Sequence, residues 1–283
     1  MHLYKTTEGN VLKYNGKSFL LTDNWDTLIN QQNLYSHLVH SILSAQSIPD
    51  EQSNDIINNH LLPPIGSQEV WAAGVTYLRS RDARMEESKE SGSADVYQKV
   101  YEAERPELFF KSLPHRVKGH GGKVNIRKDS KWDVPEPELT LFINSVGDIQ
   151  AYTIGNDMSS RSIEGENPLY LPQAKMYEGS AAVGPCLYIP EKPIPLETGI
   201  HMKIYRAEKL MYEGHTMLTQ MKRTLKELAS YLFLEFDFQY GCFLMTGTCL
   251  VPPNSFTLQE GDIVEISIDG IGTMKNIVAI KKK

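Results

Sequence analysis

Two glutamates spaced two apart, with an aspartate nineteen residues beyond the second, make the clearest chemical cluster in the chain. They stand in Val134-Pro135-Glu136-Pro137-Glu138-Leu139 and Gly155-Asn156-Asp157. On a strand, residues i and i+2 share a face, so Glu136 and Glu138 project together while Pro137 points away and suits a strand start or an edge. Suppose residues 136–144 and 150–157 pair antiparallel around Ser145-Val146-Gly147-Asp148. The ladder then sets Glu138 roughly opposite Asn156, Glu136 near Met158 and Asp157 beside both glutamates. Three carboxylates at such range repel one another unless a cation sits among them. Ligation by oxygen alone selects a hard ion: Mg²⁺ or Mn²⁺, with Ca²⁺ satisfied by the same ligand type, and open positions left to water or a chelating substrate. A solvated strand face is the competing reading of a lone Glu-x-Glu.

The elements that must position these groups can be read from periodicity. Val11 to Tyr14 and Lys17 to Leu21 flank Asn15-Gly16, a pair suited to a two-residue hairpin turn. A helical stretch follows, capped by Asp23, with Trp25, Leu28, Ile29, Leu34, Leu38 and Ile42 at roughly helical intervals. Pro63-Pro64 stops regular structure and sets a boundary, giving a small N-terminal domain over 1–65 and a catalytic domain over 66–283. Val70 to Val75 reads as a buried strand, and the charged stretch 79–104 as helix with a Ser-Gly-Ser break, suited to a lid. From Leu108 onward the pattern is mostly strand, at 108–110, 139–143, 151–154, 182–189, 202–205, 242–245 and 263–268. One helix interrupts it behind the capping-box spacing Thr224-x-x-Glu227.

Composition narrows the class. The 283 residues are 41% hydrophobic and 23% charged, enough apolar material for a large core. Twenty-nine basic against 35 acidic residues leave a net charge of -6, which argues against nucleic acid as a partner. Cys186, Cys242 and Cys249 form neither a zinc spacing nor a disulfide framework, as expected of a reducing cytoplasm. With no apolar leader and no run of about 18 apolar residues, neither export nor a membrane partner is expected. His37 and His40 lack a third ligand and read as helix surface. Gly119-His120-Gly121-Gly122-Lys123 and Gly270-Ile271-Gly272 lack the spacing of nucleotide loops.

The order of several short motifs carries a resemblance. Gly74-Val75-Thr76-Tyr77, Pro106-Glu107-Leu108-Phe109-Phe110-Lys111, Glu136-x-Glu138, Gly155-Asn156-Asp157, Lys175, Gly184-Pro185, Thr246-Gly247-Thr248, Glu260-Gly261-Asp262 and Gly270-Ile271-Gly272 together resemble the fumarylacetoacetate hydrolase family over roughly residues 70–280. The resemblance implies an α+β fold, a β-rich mixed-sheet roll around a divalent metal behind a small N-terminal α/β domain, and a homo-oligomer. It also makes Glu136, Glu138 and Asp157 the metal ligands. Pro-Glu-Pro-Glu-Leu, Arg-Pro-Glu-Leu-Phe-Phe-Lys and the run Tyr77 to Arg84 most resemble that family's 2-keto-3-deoxy-D-arabinonate dehydratases. The hydrolases and decarboxylases of the family carry an Asn-Tyr-x-x-His motif with a Glu three residues later. Here those positions hold Thr76, Ser80 and Ala83, so the usual hydrolytic base is missing.

The implied activity is Mg²⁺-dependent dehydration of a small 2-oxo sugar acid, 2-dehydro-3-deoxy-D-arabinonate, to 2,5-dioxopentanoate. The alternative is cleavage or decarboxylation of an acylpyruvate or oxaloacetate. A 2-oxo acid chelates a hard ion through its carboxylate and ketone oxygens, which eases loss of the C3 proton as an enolate that expels the C4 hydroxyl. Lys175 aligns with the family's lysine and becomes the candidate base at C3, in a setting that lowers an ammonium pKa. Glu107 is the second candidate, able to pass a proton to the departing hydroxyl or simply to pair with Arg105. Thr248 resembles the family's contact to the substrate carboxylate. Ser80 and Arg81 are expected at the substrate, and Arg81 and Arg84 either bind its hydroxyls or close a lid.

Overall fold

The computed structural model describes residues 1–79, 85 and 94–282. The chain opens with β1 (His2–Thr6), β2 (Gly9–Tyr14), β3 (Lys17–Leu21), α1 (Trp25–Ile29), α2 (Leu34–Ser41), β4 (Gln46–Ile48) and α3 (Asp50–His60). Then come β5 (Glu69–Gly74), α4 (Ala94–Glu102), β6 (Glu107–Ser112), β7 (Lys123–Ile126), β8 (Asp133–Val134), β9 (Pro137–Ile143), β10 (Ile149–Asp157) and β11 (Ser159–Ser160). The remainder is α5 (Arg161–Glu166), α6 (Leu171–Lys175), β12 (Ala181–Tyr188), β13 (Gly199–Arg206), β14 (Lys209–Met217), α7 (Leu225–Leu232), β15 (Cys242–Met245), β16 (Ile263–Ile268) and β17 (Gly272–Ile280).

Two mixed sheets carry the fold. The larger has ten strands in the order β4-β3-β2-β1-β12-β10-β9-β15-β5-β6, and the smaller has five, β14-β13-β16-β17-β7. Only β15 with β5 and β17 with β7 run parallel among these pairs. Leu139, Leu141, Ile143 and Ile154 of the large sheet meet Met202, Ile204, Val264, Ile266 and Met274 of the small one in a shared core. Phe142 and Phe243 alternate to the opposite face, where Trp25, Leu28, Leu34 and Leu38 of the first two helices cover the sheet. Strands buried on both faces read as unbroken apolar runs, which is why 139–143 is apolar or small throughout.

Several local expectations hold. Asn15-Gly16 turns β2 into β3 with both residues at positive φ, 50° and 70°. Thr224 and Glu227 make both bonds of a capping box at the start of α7. The helical stretch after Asp23 divides in two. Asn24 caps α1 and Asn33 caps α2, so the asparagine side chains bond backbone donors and restart the helix. The first four strands are not a detached unit in space, since β1 pairs antiparallel with β12 and extends the large sheet. Among the described residues no helix is long and apolar enough to cross a membrane, and all three cysteines are free.

Candidate active site

The acidic cluster is built by one strand pair and corrected by a bulge. The expected register, Glu138 opposite Asn156, is one residue out. Glu138 faces Gly155 and Pro137 faces Asn156; without the irregularity between Ile149 and Ala151, the Ile149–Ile143 pairing would run on to set Glu138 opposite Ile154. A slip of one residue exchanges the faces of a strand. In the unbulged register Asp157 would lie on the face opposite the glutamates. In the bulged register its N–H donates to the Glu136 carbonyl at 3.0 Å, which puts its side chain on the face of Glu136 and Glu138. Gly155, opposite Glu138, contributes no side chain, and Thr140 Oγ1 occupies that space.

All three acids are buried, with Glu136 the most exposed at 4%. Each offers an oxygen, and these oxygens lie within 4.8 Å of one another. That separation is what one hard ion spans when its oxygen ligands stand about 2.0–2.6 Å away. Burial, followed by the charges of Asp157 and Glu136, pushes the Glu138 carboxyl well above the usual carboxylate range. A divalent cation would reverse that balance, so the donor set fits the metal that the sequence implies.

Among the described residues, three cationic side chains face the acids. Lys175, at the end of α6 and fully buried, donates from Nζ to Glu136 Oε2 at 2.7 Å, Asp157 Oδ2 at 3.1 Å and Ser159 Oγ at 2.5 Å. Arg161, first residue of α5, donates to Glu136 Oε1 at 2.5 Å and lies 3.7 Å from the buried carboxylate of Glu164. Lys111 pairs with Asp157 Oδ1 and reaches the carbonyls of Met158 at 3.0 Å and Lys175 at 2.5 Å. Burial lowers the pKa of the Lys111 ammonium despite the opposing pull of Asp157. Glu138 instead accepts the N–H of Gly247 at 2.6 Å.

The surrounding cavity is lined by Ala73, Gly74, Val75, Phe109, Gly247 and Thr248 together with the three acids, Arg161 and Lys175. Thr248 Oγ1 accepts the N–H of Leu250 at 3.1 Å, so its own O–H remains able to donate. Glu107 sits on β6 directly opposite Gly74. The structure therefore brings Glu136, Glu138, Asp157, Lys175 and Thr248 to one cavity, with Glu107 at its edge. Ser80, Arg81 and Arg84 lie outside the described residues, as do half of the 79–104 stretch and its Ser-Gly-Ser break.

Sequence reasoning missed Lys111, Ser159, Arg161 and Glu164. One signal was present for Lys111: Glu107, Phe109 and Lys111 alternate along β6 and so share the face turned to the site, with the Phe109 ring 6.0 Å from Lys175 Nζ. Nothing in the composition of α5 marks Arg161 as buried. Its burial follows from the short β11–β8 pair, which continues the β9–β10 register past Asp157 and so keeps the chain packed up to Arg161.

The family model for the fumarylacetoacetate (FAA) hydrolase C-terminal domain matches residues 70–279. The "Probable 2-keto-3-deoxyxylonate dehydratase" of Haloferax volcanii is 46% identical over 239 residues, 83% of this chain and 81% of that protein. The 2-dehydro-3-deoxy-D-arabinonate dehydratase of Saccharolobus solfataricus is 41% identical over 235 residues, 82% of this chain and 77% of that protein. A solved 2-keto-3-deoxy-D-arabinonate dehydratase complexed with magnesium and 2,5-dioxopentanoate superposes with a TM-score of 0.83 at 31% identity, covering 100% of this chain and 99% of that one.

Proposed function

The chain belongs to the fumarylacetoacetate hydrolase family, and from that premise we propose that it is a hydro-lyase converting a 2-keto-3-deoxy pentonate into 2,5-dioxopentanoate. The observation that carries the reading is the buried trio Glu136, Glu138 and Asp157 with Lys175 against two of its members. Two relatives above 40% identity named as dehydratases, and a solved relative holding magnesium and 2,5-dioxopentanoate, support the substrate class.

Glu136, Glu138 and Asp157 would hold the divalent ion, Mg²⁺ or Mn²⁺, which when bound supplies Lewis-acid polarisation of the 2-oxo acid. Lys175 takes the proton from C3, and the bond from C4 to its hydroxyl breaks as the electron pair shifts toward C3–C4. Glu107 gives the proton with which that hydroxyl leaves as water. C5 then loses a proton from carbon while C3 gains one, which moves the double bond to C4–C5, and the resulting enol becomes the aldehyde as its O–H proton is lost and C4 gains one. Atoms balance with no redox cofactor. Thr248, through its hydroxyl, binds the substrate carboxylate, and Ser80 and Arg81 serve as further substrate-binding residues. Lys111 and Arg161 hold Asp157 and Glu136 in place from the protein side.

The experiment is a panel of 2-keto-3-deoxy pentonates, acylpyruvates and oxaloacetate, assayed with Mg²⁺ and with excess chelator. Formation of 2,5-dioxopentanoate that stops in chelator is expected. Pyruvate or a released acid as the dominant product would overturn the dehydratase reading in favour of C–C cleavage.

A further inference from the structure

We propose that Gly74 is a positioning residue whose missing side chain seats the Glu107 carboxylate over β5; the proposal rests on Glu107 being the proton donor. Gly74 and Glu107 are partners in the antiparallel β5–β6 ladder. Side chains of such partners stand side by side on one face of the sheet. A Cβ built on Gly74 would lie 2.0 Å from Glu107 Oε2, 2.5 Å from its Cδ and 3.2 Å from Oε1. The carboxylate thus rests on the bare backbone of Gly74, in the space that any other residue would fill. Its Oε2 is shielded from solvent there.

The direction of this fold-over matters. β6 is the outer strand of the large sheet and β5 lies between it and β15. A β6 side chain laid across β5 therefore points inward, toward the cavity that Gly74, Gly247 and Thr248 line. Gly74 has no room to retreat. Val75, a β-branched residue, holds φ at 53°, in the left-handed region that such residues rarely enter. Thr76 Oγ1 locks the turn by donating to the Thr246 carbonyl at 2.7 Å, and the Thr76 carbonyl accepts the Lys222 N–H at 2.9 Å.

The glycine is not there for its own backbone. Gly74 does not adopt positive φ, and the three nearest atoms to an added Cβ all belong to the Glu107 carboxylate. Gly74→Ala should therefore fold normally and displace one functional group. The test measures kcat and KM with the 2-keto-3-deoxy pentonate, melting temperature and Mg²⁺ affinity for Gly74→Ala, Glu107→Gln and the double variant. We expect Gly74→Ala to keep its melting temperature and Mg²⁺ affinity while kcat falls on the order of 100-fold, as for a catalytic group misplaced by about 1 Å. In the Glu107→Gln background the added methyl should make no further difference. Glu107→Asp, too short to reach across Gly74, should lose kcat to a similar degree and serves if the alanine variant does not fold. Unchanged kcat in Gly74→Ala with Glu107→Gln impaired would overturn the seat alone, as would an equal loss from the methyl in both backgrounds. Full turnover in Glu107→Gln would instead overturn the proton-donor reading.

Discussion

The buried Lys175 amine meets two carboxylates and a hydroxyl. If it is the base at C3, Lys175→Ala should leave Mg²⁺ binding intact and lower kcat by about 10²–10⁴-fold, the usual contribution of a positioned acid or base. Equal turnover in steady-state assays would remove it from the mechanism. A second prediction at this scale concerns Asp133, buried in β8 three residues before Glu136, whose carboxyl is pushed up to about 6 mainly by burial. A carboxyl raised in the folded state favours folding when protonated. Its contribution is complete below about pH 4 and is lost as pH rises through about 6. Asp133→Asn should therefore melt at a higher temperature than the parent at pH 8, with the difference shrinking toward pH 4. A difference that is constant with pH, or of opposite sign, would contradict this.

The β9–β10 pair does for the acids what no single residue could. Glu136-x-Glu138 was legible from the two-residue period, and Asp157 from its place after Gly155-Asn156. The bulge between Ile149 and Ala151 was not, because an inserted residue leaves the alternation on either side intact and shows only in the pairing. Elements of mixed polarity were also hidden. β14 is almost wholly exposed or half-exposed and carries no apolar alternation, and α5 and α6 are six and five residues long, too short for a periodic pattern. Thus the helix end that delivers Lys175 was not expected even though the lysine itself was. Gly155 makes the strand pair testable. A Cβ there would stand 2.2 Å from Thr140 Oγ1 and 3.2 Å from Met245, so Gly155→Ala should destabilise the fold by about 1–3 kcal/mol through overpacking. Adding Thr140→Ala should recover much of that loss. Denaturant melts in which the double variant is no more stable than Gly155→Ala would show that the strain lies elsewhere.

Across the molecule, the division of the sequence at the prolines of 63 and 64 is not a division of the core. Leu3, Leu12, Trp25 and Leu28 share one apolar cluster with Val70, Phe142, Val183 and Phe243, and β1 covers the edge of β12. Residues 1–65 and the rest should accordingly melt in one transition by calorimetry, and a chain of residues 66–283 should expose an apolar face and an open strand edge and lose solubility. Two separate transitions would assign the segments independent cores. The two sheets and the first helices converge to bury three carboxylates beside a lysine, an arrangement costly to keep without a cation. Calorimetric titration of Mg²⁺ into the chain and into Glu138→Gln tests this most directly. One ion per chain bound by the parent, with binding lost in the variant while its melting temperature is retained, is the predicted result; equal binding by both proteins would contradict the account.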